Sequence, residues 1–385
     1  MSRLPGVPYW RLSGFYFAHF ATVGALVPYI GLYYKHLGFS AAQIGELNGM
    51  LIIGRVVAPL LWGWLADHSG KRMPVVQITA LLAAVSFAPF LWLDGYRALM
   101  VIMMCFGFFW SASLPQFEAV TLNHLGAHIH AYTQIRLWGS IAFIVMVILL
   151  GRVFEQHSIT LLPGTLLALM VSTWLIGLIT PEHAARHPPQ ERGPLKEVLM
   201  STTILALFVT CVLLQVSYGP YYNFYSIYLE EHGYARTVIG GLWALGVAAE
   251  VAIFLAMPKL LGFYSLRGLL LLSVITAAVR WVIIAFCVKS LLMLVIAQLL
   301  HAVAFGVHHV AVLQLIHRYF VGRHQGRGQA LYSSLAYGLG GALGALVSGY
   351  AWSAVDATST FILAAITCTA AFLIAWRWLE RDVSM

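Results

Sequence analysis

Charge is what this sequence has least of. Of its 385 residues only 9% are Asp, Glu, Lys or Arg, against 61% that are hydrophobic. A soluble domain carries roughly 25% charged residues, so the composition excludes a water-facing globular surface and implies a polytopic membrane protein. Cysteine is scarce as well. Cys105, Cys211, Cys287 and Cys368 all fall in apolar runs without a Cys-x-x-Cys pair, which argues against a disulfide framework or a zinc site. Catalytic punctuation is missing: there is no His-Glu-x-x-His, no Gly-x-Ser-x-Gly, and Gly63 to Lys71 lacks the spacing of a phosphate-binding loop. No enzyme is expected, and no cofactor or metal. A cleavable signal is not expected either, since Met1 to Arg11 holds two prolines and two arginines and then enters a full-length apolar run. The net charge of +8 is scattered between apolar segments rather than gathered on a face, so it points to membrane topology and not to nucleic acid.

What is present is apolar length. Runs long enough to cross a bilayer occupy about 12–34, 42–66, 73–93, 98–122, 132–154 and 159–179, then about 201–229, 235–258, 267–287, 290–316, 328–350 and 357–378. None alternates as a barrel strand would, so all twelve are expected to be helices and the fold an all-α membrane protein. One alternating set of ends and connections carries fourteen basic residues, among them Arg3, Lys71, Arg72, Arg186, Arg192, Lys196, Arg323 and Arg381, and the other carries five. By the positive-inside rule both termini are cytoplasmic, and the expected location is a prokaryotic inner membrane. The division expected is a six-helix bundle over 1–182, a proline-bearing cytoplasmic linker over 183–197, and a second bundle over 198–385.

The two bundles echo each other. Gly38-Phe39 followed by Ile44-Gly45-Glu46-Leu47 recurs, 195 residues later, as Gly233-Tyr234 followed by Ile239-Gly240-Gly241-Leu242. Pro28-Tyr29 and Pro220-Tyr221 precede the two copies. Duplicated six-helix halves, each with an irregular helix near its start, are the plan of alternating-access transporters. Small residues on the eleventh run (Gly338, Gly340, Gly341, Gly344 and Gly349) would permit close helix crossing.

Between the second and third runs stands Gly63-Trp64-Leu65-Ala66-Asp67-His68-Ser69-Gly70-Lys71-Arg72. It resembles the cytoplasmic gate loop of the major facilitator superfamily, which implies twelve transmembrane helices in two pseudo-symmetric bundles and gating roles for Gly63, Asp67, Gly70 and Arg72. In that family the aspartate bonds to a neighbouring helix and helps latch one access state. At the matching place in the second half, Pro258, Gly262 and Arg267 remain but the acid is gone.

Five charges lie deep in the apolar runs: Arg55, Glu118, Arg136, Glu250 and Arg280. Each costs roughly 2.5–3.5 kcal/mol to place there even on lenient scales, so function is the default reading. Glu118 and Arg136 are eighteen residues apart across one short turn, which puts them at similar depth on antiparallel neighbours. The strings around them, Leu114-Pro115-Gln116-Phe117-Glu118-Ala119 and Arg136-Leu137-Trp138-Gly139-Ser140, resemble the lactose permease and phenylpropionate permease branch of the superfamily. Tyr218 to Leu229 resembles the phenylpropionate side of that branch. The resemblance implies that Glu118 and Arg136 face the substrate. It implies that Arg280 and His301 have counterparts there, while Phe143 replaces the sugar-stacking tryptophan and Ala304 the proton-handling glutamate.

Three arginines less two glutamates leave a deep surplus of +1, which arginine cannot shed and a carboxylate would cancel. The expected function is a proton-coupled symporter importing a small organic anion, an aromatic monocarboxylate of the phenylpropionate kind. Its partners would be the substrate, protons and the lipid bilayer, with the chain monomeric. Glu118, Arg136, Arg280, Trp110, Trp138, Tyr221 and Tyr225 are the candidate substrate residues, although each aromatic taken singly is better explained by filling the bundle. Glu118, Glu250 and His301 are candidates for proton coupling. Arg55 sits 195 residues before Glu250, hence at the equivalent place in its repeat, either facing it across the halves or tied to its own half. The absence of a proline between Gly139 and Gly151 favours uptake over export. The alternatives are a sugar or nucleoside symporter and, in another class, a non-transporting membrane sensor or lipid-handling protein on the same fold.

Overall fold

A computed structural model describes residues 6–183, 201–320 and 325–380. It contains twelve helices long and apolar enough to span a membrane. They are α1 (Tyr9–His36), α2 (Ala41–Ser69), α3 (Met73–Leu91), α4 (Tyr96–Leu125), α5 (Tyr132–Gln156), α6 (Ile159–Ile179), α7 (Thr202–Glu231), α8 (Arg236–Phe263), α9 (Leu266–Cys287), α10 (Leu291–Tyr319), α11 (Arg327–Ala354) and α12 (Ala357–Trp378). No strand occurs among the described residues. The expected linker, apart from His183, lies outside them, as do Arg3, Arg186, Arg192, Lys196, Arg323 and Arg381 of the basic count.

Helix ends follow local chemistry. The Ser265 hydroxyl accepts from Gly268 N at 3.1 Å, that of Ser290 from Met293 N at 3.4 Å, and Asp356 Oδ1 from Ser359 N at 2.7 Å, satisfying orphan donors that begin α9, α10 and α12. The repeated Gly38 and Gly233 finish α1 and α7 in the same way. Both have φ of +82°, a left-handed geometry that favours glycine. Phe39 N donates to Tyr34 O and Tyr234 N to Leu229 O, each at 3.1 Å, so the two copies close with one C-terminal motif.

By contacts the chain forms two units, Met1–Phe39 with Met50–Pro188, and Ser40–Gly49 with Pro189–Met385. In the first, α1 packs on α5 and α6, and α3 on α4 and α6. In the second, α7 packs on α11 and α12, and α9 on α10 and α12, the same pattern advanced by six helices. Each unit has its own apolar core, with Phe15, Phe117, Val120 and Ile135 in the first and Leu207, Leu270, Val312 and Phe320 in the second. Residues 40–49 group with the second unit, unlike the expected boundary. Ala42 N donates to Ser353 Oγ at 2.8 Å, the Tyr350 hydroxyl bonds Glu46, and Gly45 lies against the backbone of Ala345 and Gly349.

The expected irregularity appears only in the second copy. Pro28 sits inside a continuous α1, whereas α7 breaks at Tyr218 between Thr202–Ser217 and Gly219–Glu231. Pro220, in the first turn of the second segment, has no N–H to continue the ladder. Two π-helical stretches add further breaks, Ala302–Val307 in α10 and Ser333–Gly340 in α11. The glycines of α11 do permit close crossing. A Cβ on Gly344 would stand 2.8 Å from Val216 O, and one on Gly340 3.0 Å from Val212 O, so this face accepts the α7 backbone directly.

Candidate functional site

Each unit brings several polar side chains of its helices into one cluster. In the first unit, α1, α2, α4 and α5 contribute. The Tyr132 hydroxyl donates to Glu118 Oε1 at 3.2 Å. The Arg136 guanidinium lies over Phe20, 3.7 Å from the ring centroid, with Tyr16 at 5.8 Å. Its charge acts on Glu118. Among the described residues no hydrogen bond or ion pair joins them, and their close partners are Tyr132 and Phe20. Gly139 makes the cation–ring contact possible, because a Cβ there would stand 2.7 Å from both Arg136 Nη1 and Phe20 Cδ2.

His19 is the residue that charge counting overlooks. It is 3% exposed, its ring stacks on Trp110 at 4.2 Å and 3°, and its Nδ1 has no hydrogen-bond partner among the described residues. The charges of both Arg136 and Arg55 reach it, which places Arg55 near this cluster although Arg55 itself is exposed. A histidine in the middle of the first apolar run was the available signal. Trp138 does not join the cluster. Two residues after Arg136 it points elsewhere, and its indole donates to Tyr9 Oη at 3.1 Å.

In the second unit, Arg280 on α9 is 0% exposed. Its Nε donates to Ala297 O at 2.9 Å and its Nη2 to Gln298 Oε1 at 3.3 Å. The guanidinium lies 4.0 Å from the Tyr221 ring centroid, 4.5 Å from Trp281 and 5.9 Å from Tyr218. Every one of these contacts is electrically neutral, and Nη1 has no hydrogen-bond partner among the described residues. Tyr221 also donates to Gln298 Oε1 at 3.1 Å, and Tyr225 packs on Tyr221 with centroids 5.0 Å apart. His301 stands one turn beyond Gln298, and its Nε2 is 3.8 Å from Glu250 Oε2. Gly246 on α8 lies close to this network: a Cβ there would stand 3.0 Å from Gln298 Oε1.

Beyond His301 the α10 histidines separate. His308 Nδ1 is 3.4 Å from Ser273 Oγ on α9, and His309 Nδ1 is 3.1 Å from Tyr337 Oη on α11. Among the described residues no three His, Cys, Asp or Glu side chains converge as metal ligands.

At the end of α2, Asp67 pairs with Arg72 of the following loop at 2.6 Å, and Arg72 Nη1 reaches Gln116 Oε1 on α4, also at 2.6 Å. The link to a neighbouring helix therefore runs through the arginine, with the two-thirds exposed aspartate holding it in place. Gly63 faces the same Gln116, its would-be Cβ 3.5 Å from Nε2. Gly70 turns the chain with φ of +67°. In the second half, where the acid is gone, Arg267 instead caps α12, donating to Trp376 O at 2.6 Å and Leu379 O at 3.0 Å.

Twelve membrane-capable helices in two units of matching packing, each with a cluster of polar and charged side chains, are the architecture of a polytopic membrane protein. The model of the MFS_1 like family matches residues 9–363, and the chain belongs to that family, within the major facilitator superfamily. It is 31% identical over 375 residues to the "Probable 3-phenylpropionic acid transporter" of Escherichia coli (strain K12), covering 94% of this chain and 96% of that one. It is 26% identical over 342 residues to the maltose permease of Geobacillus stearothermophilus, covering 87% and 86%. Among solved structures, the nucleoside transporter NupG superposes with a TM-score of 0.80 at 18% identity, covering 97% of this chain and 99% of that one. The D-xylose-proton symporter gives 0.72 at 13% identity, covering 97% of each.

Proposed function

We propose that this transporter is a proton-coupled symporter that imports a small organic anion, an aromatic monocarboxylate of the phenylpropionate kind, by alternating access. The observation that carries the reading is Arg280, a fully buried guanidinium whose contacts are a carbonyl, an amide and three aromatic rings. A buried cation whose contacts among the described residues are all neutral is costly, and a carboxylate is a ligand whose arrival offsets that cost. The aromatic rings around it suit an aromatic body. Similarity to a transporter named for 3-phenylpropionic acid supports the same class.

Arg136 and Glu118 would orient the substrate in the first unit, with His19 and Trp110 beside them and Arg55 as a further cavity charge. Trp138 drops out of that set. Glu250 and His301 would take part in proton coupling, because a carboxylate leaving water for an apolar environment gains affinity for a proton. Gly63, Asp67, Gly70 and Arg72 would gate access. The chain would work as a monomer in a prokaryotic inner membrane, with cytoplasmic termini and bundles divided by the 183–197 linker.

A neutral sugar or nucleoside is the second reading. It is favoured by the maltose permease relative and by the first-unit cluster, which holds both signs of charge and needs no anion. Solid-supported-membrane currents in proteoliposomes, with and without a proton gradient, separate the two. The proposal expects currents for monocarboxylates that grow with an inward proton gradient and vanish in Arg136→Gln. Currents for sugars or nucleosides and none for any carboxylate would overturn it.

A further inference from the structure

We infer that Gln298 determines the charge of the substrate: it is the neutral partner that orients Arg280 and leaves the guanidinium positive and open to a carboxylate. The inference rests on the anion reading above and assigns its recognition chemistry.

Arginine has only donors, so the Gln298 atom 3.3 Å from Arg280 Nη2 must be the amide oxygen. The same oxygen takes the Tyr221 hydroxyl at 3.1 Å. Gln298 thereby fixes the guanidinium plane, with Ala297 O holding Nε at 2.9 Å. It also turns its own NH2 away from both partners. Three buried nitrogens of this group then have no hydrogen-bond partner among the described residues: Arg280 Nη1, Gln298 Nε2 and His301 Nδ1. The first two can only donate, and a buried donor left unmet is costly. Arg280 and Gln298 are each 0% exposed, so these unmet donors are built into the protein interior. A carboxylate has two oxygens that accept from such a pair; a hydroxyl or amide substrate would leave the cation uncompensated.

The cluster also sits at breaks in two helices. Tyr218 is the break in α7, and Tyr221 follows it by one turn. His301 is the residue before the π-helical stretch Ala302–Val307. Both irregularities border the guanidinium, and discontinuous helices at membrane depth are where transporters bind substrate.

Replacing the amide by a carboxylate would supply the counter-charge internally. Gln298→Glu is therefore expected to lose response to the best monocarboxylate of a panel by about tenfold or more, while response to its uncharged primary amide appears. Gln298→Met has similar length and no polar atom. It should weaken the carboxylate response without admitting the amide, since Arg280 keeps its charge. Both variants are read in proteoliposomes by substrate-induced current, after size-exclusion chromatography has shown folded protein. A carboxylate response in Gln298→Glu with the wild-type half-saturation overturns the inference and leaves the anion reading standing. Wild-type protein answering only to sugars or nucleosides removes the anion reading itself. Should Gln298→Glu fail to fold, Gln298→Met decides: an unchanged half-saturation for the carboxylate overturns the inference.

Discussion

The two polar clusters solve the burial of charge in opposite ways. In the first unit a carboxylate and a cation share one neighbourhood, Glu118 with Tyr132 and Arg136 over Phe20, and both side chains remain partly exposed. In the second, Arg280 is sealed among neutral partners, and the carboxylate of the cluster, Glu250, approaches His301 instead. Opposite charges that act on each other offset part of each other's desolvation cost. A sealed cation whose direct partners are all neutral lacks that compensation. The difference supports the proposed division, with charge recognition in the second unit and orientation in the first.

Breaking the contrast at its strongest point should have the largest effect. Arg280→Met removes the cation, and transport of the anion should fall by the ~2–5 kcal/mol typical of truncating a desolvated charge partner, more than about thirtyfold in uptake assays. Thermal unfolding should not drop in parallel, because exchanging a buried charge for an apolar side chain of similar volume is often neutral or stabilising. Arg280→Lys should not restore transport, since a lysine lacks the planar fork that contacts Ala297 and Gln298 together.

Glu250→Gln addresses the other half of the second cluster. It should abolish proton-driven accumulation in proteoliposomes while substrate exchange across the membrane continues. Loss of exchange as well would move Glu250 from coupling to binding. In the first unit, His19→Ala deletes the ring stacked on Trp110 at 4.2 Å, an aromatic contact worth about 0.5–1.5 kcal/mol. A several-fold rise in half-saturation without a change in proton dependence is expected, and an altered pH profile would instead make His19 a proton carrier. The smallest effect should come from Trp138→Phe. It removes one hydrogen bond to Tyr9, worth about 0.5–1.5 kcal/mol of stability, and should leave half-saturation within about twofold.

Much of the scaffold was legible because the bilayer imposes it. A spanning helix needs about 20 apolar residues, and runs such as 159–179 and 357–378 carry that length with polar or turn-forming residues at their ends. The repeat was legible through Gly38 and Gly233, whose identical φ of +82° shows why a glycine recurs there. The nearness of Glu118 and Arg136 followed from their spacing across one turn. Their partners did not, because Tyr132 and Phe20 are selected by side-chain direction, which spacing cannot supply. The turn of Trp138 toward Tyr9 is likewise a matter of side-chain direction.

His19 and Gln298 escaped because a count of formal charges passes over neutral polar groups. In an apolar interior such groups are as constrained as ions, since each needs a partner. The break at Tyr218 had a signal in Pro220, but the π-helical stretches beside His301 and in α11 had none. Tertiary packing, not local preference, places them.

The central claim is that the neutral setting of Arg280 makes the substrate an anion. Equilibrium binding of one matched pair, a monocarboxylate and its primary amide, to the purified wild-type protein tests it most directly. The account predicts saturable binding of the carboxylate and none of the amide at comparable concentrations. Equal binding of the two would contradict it.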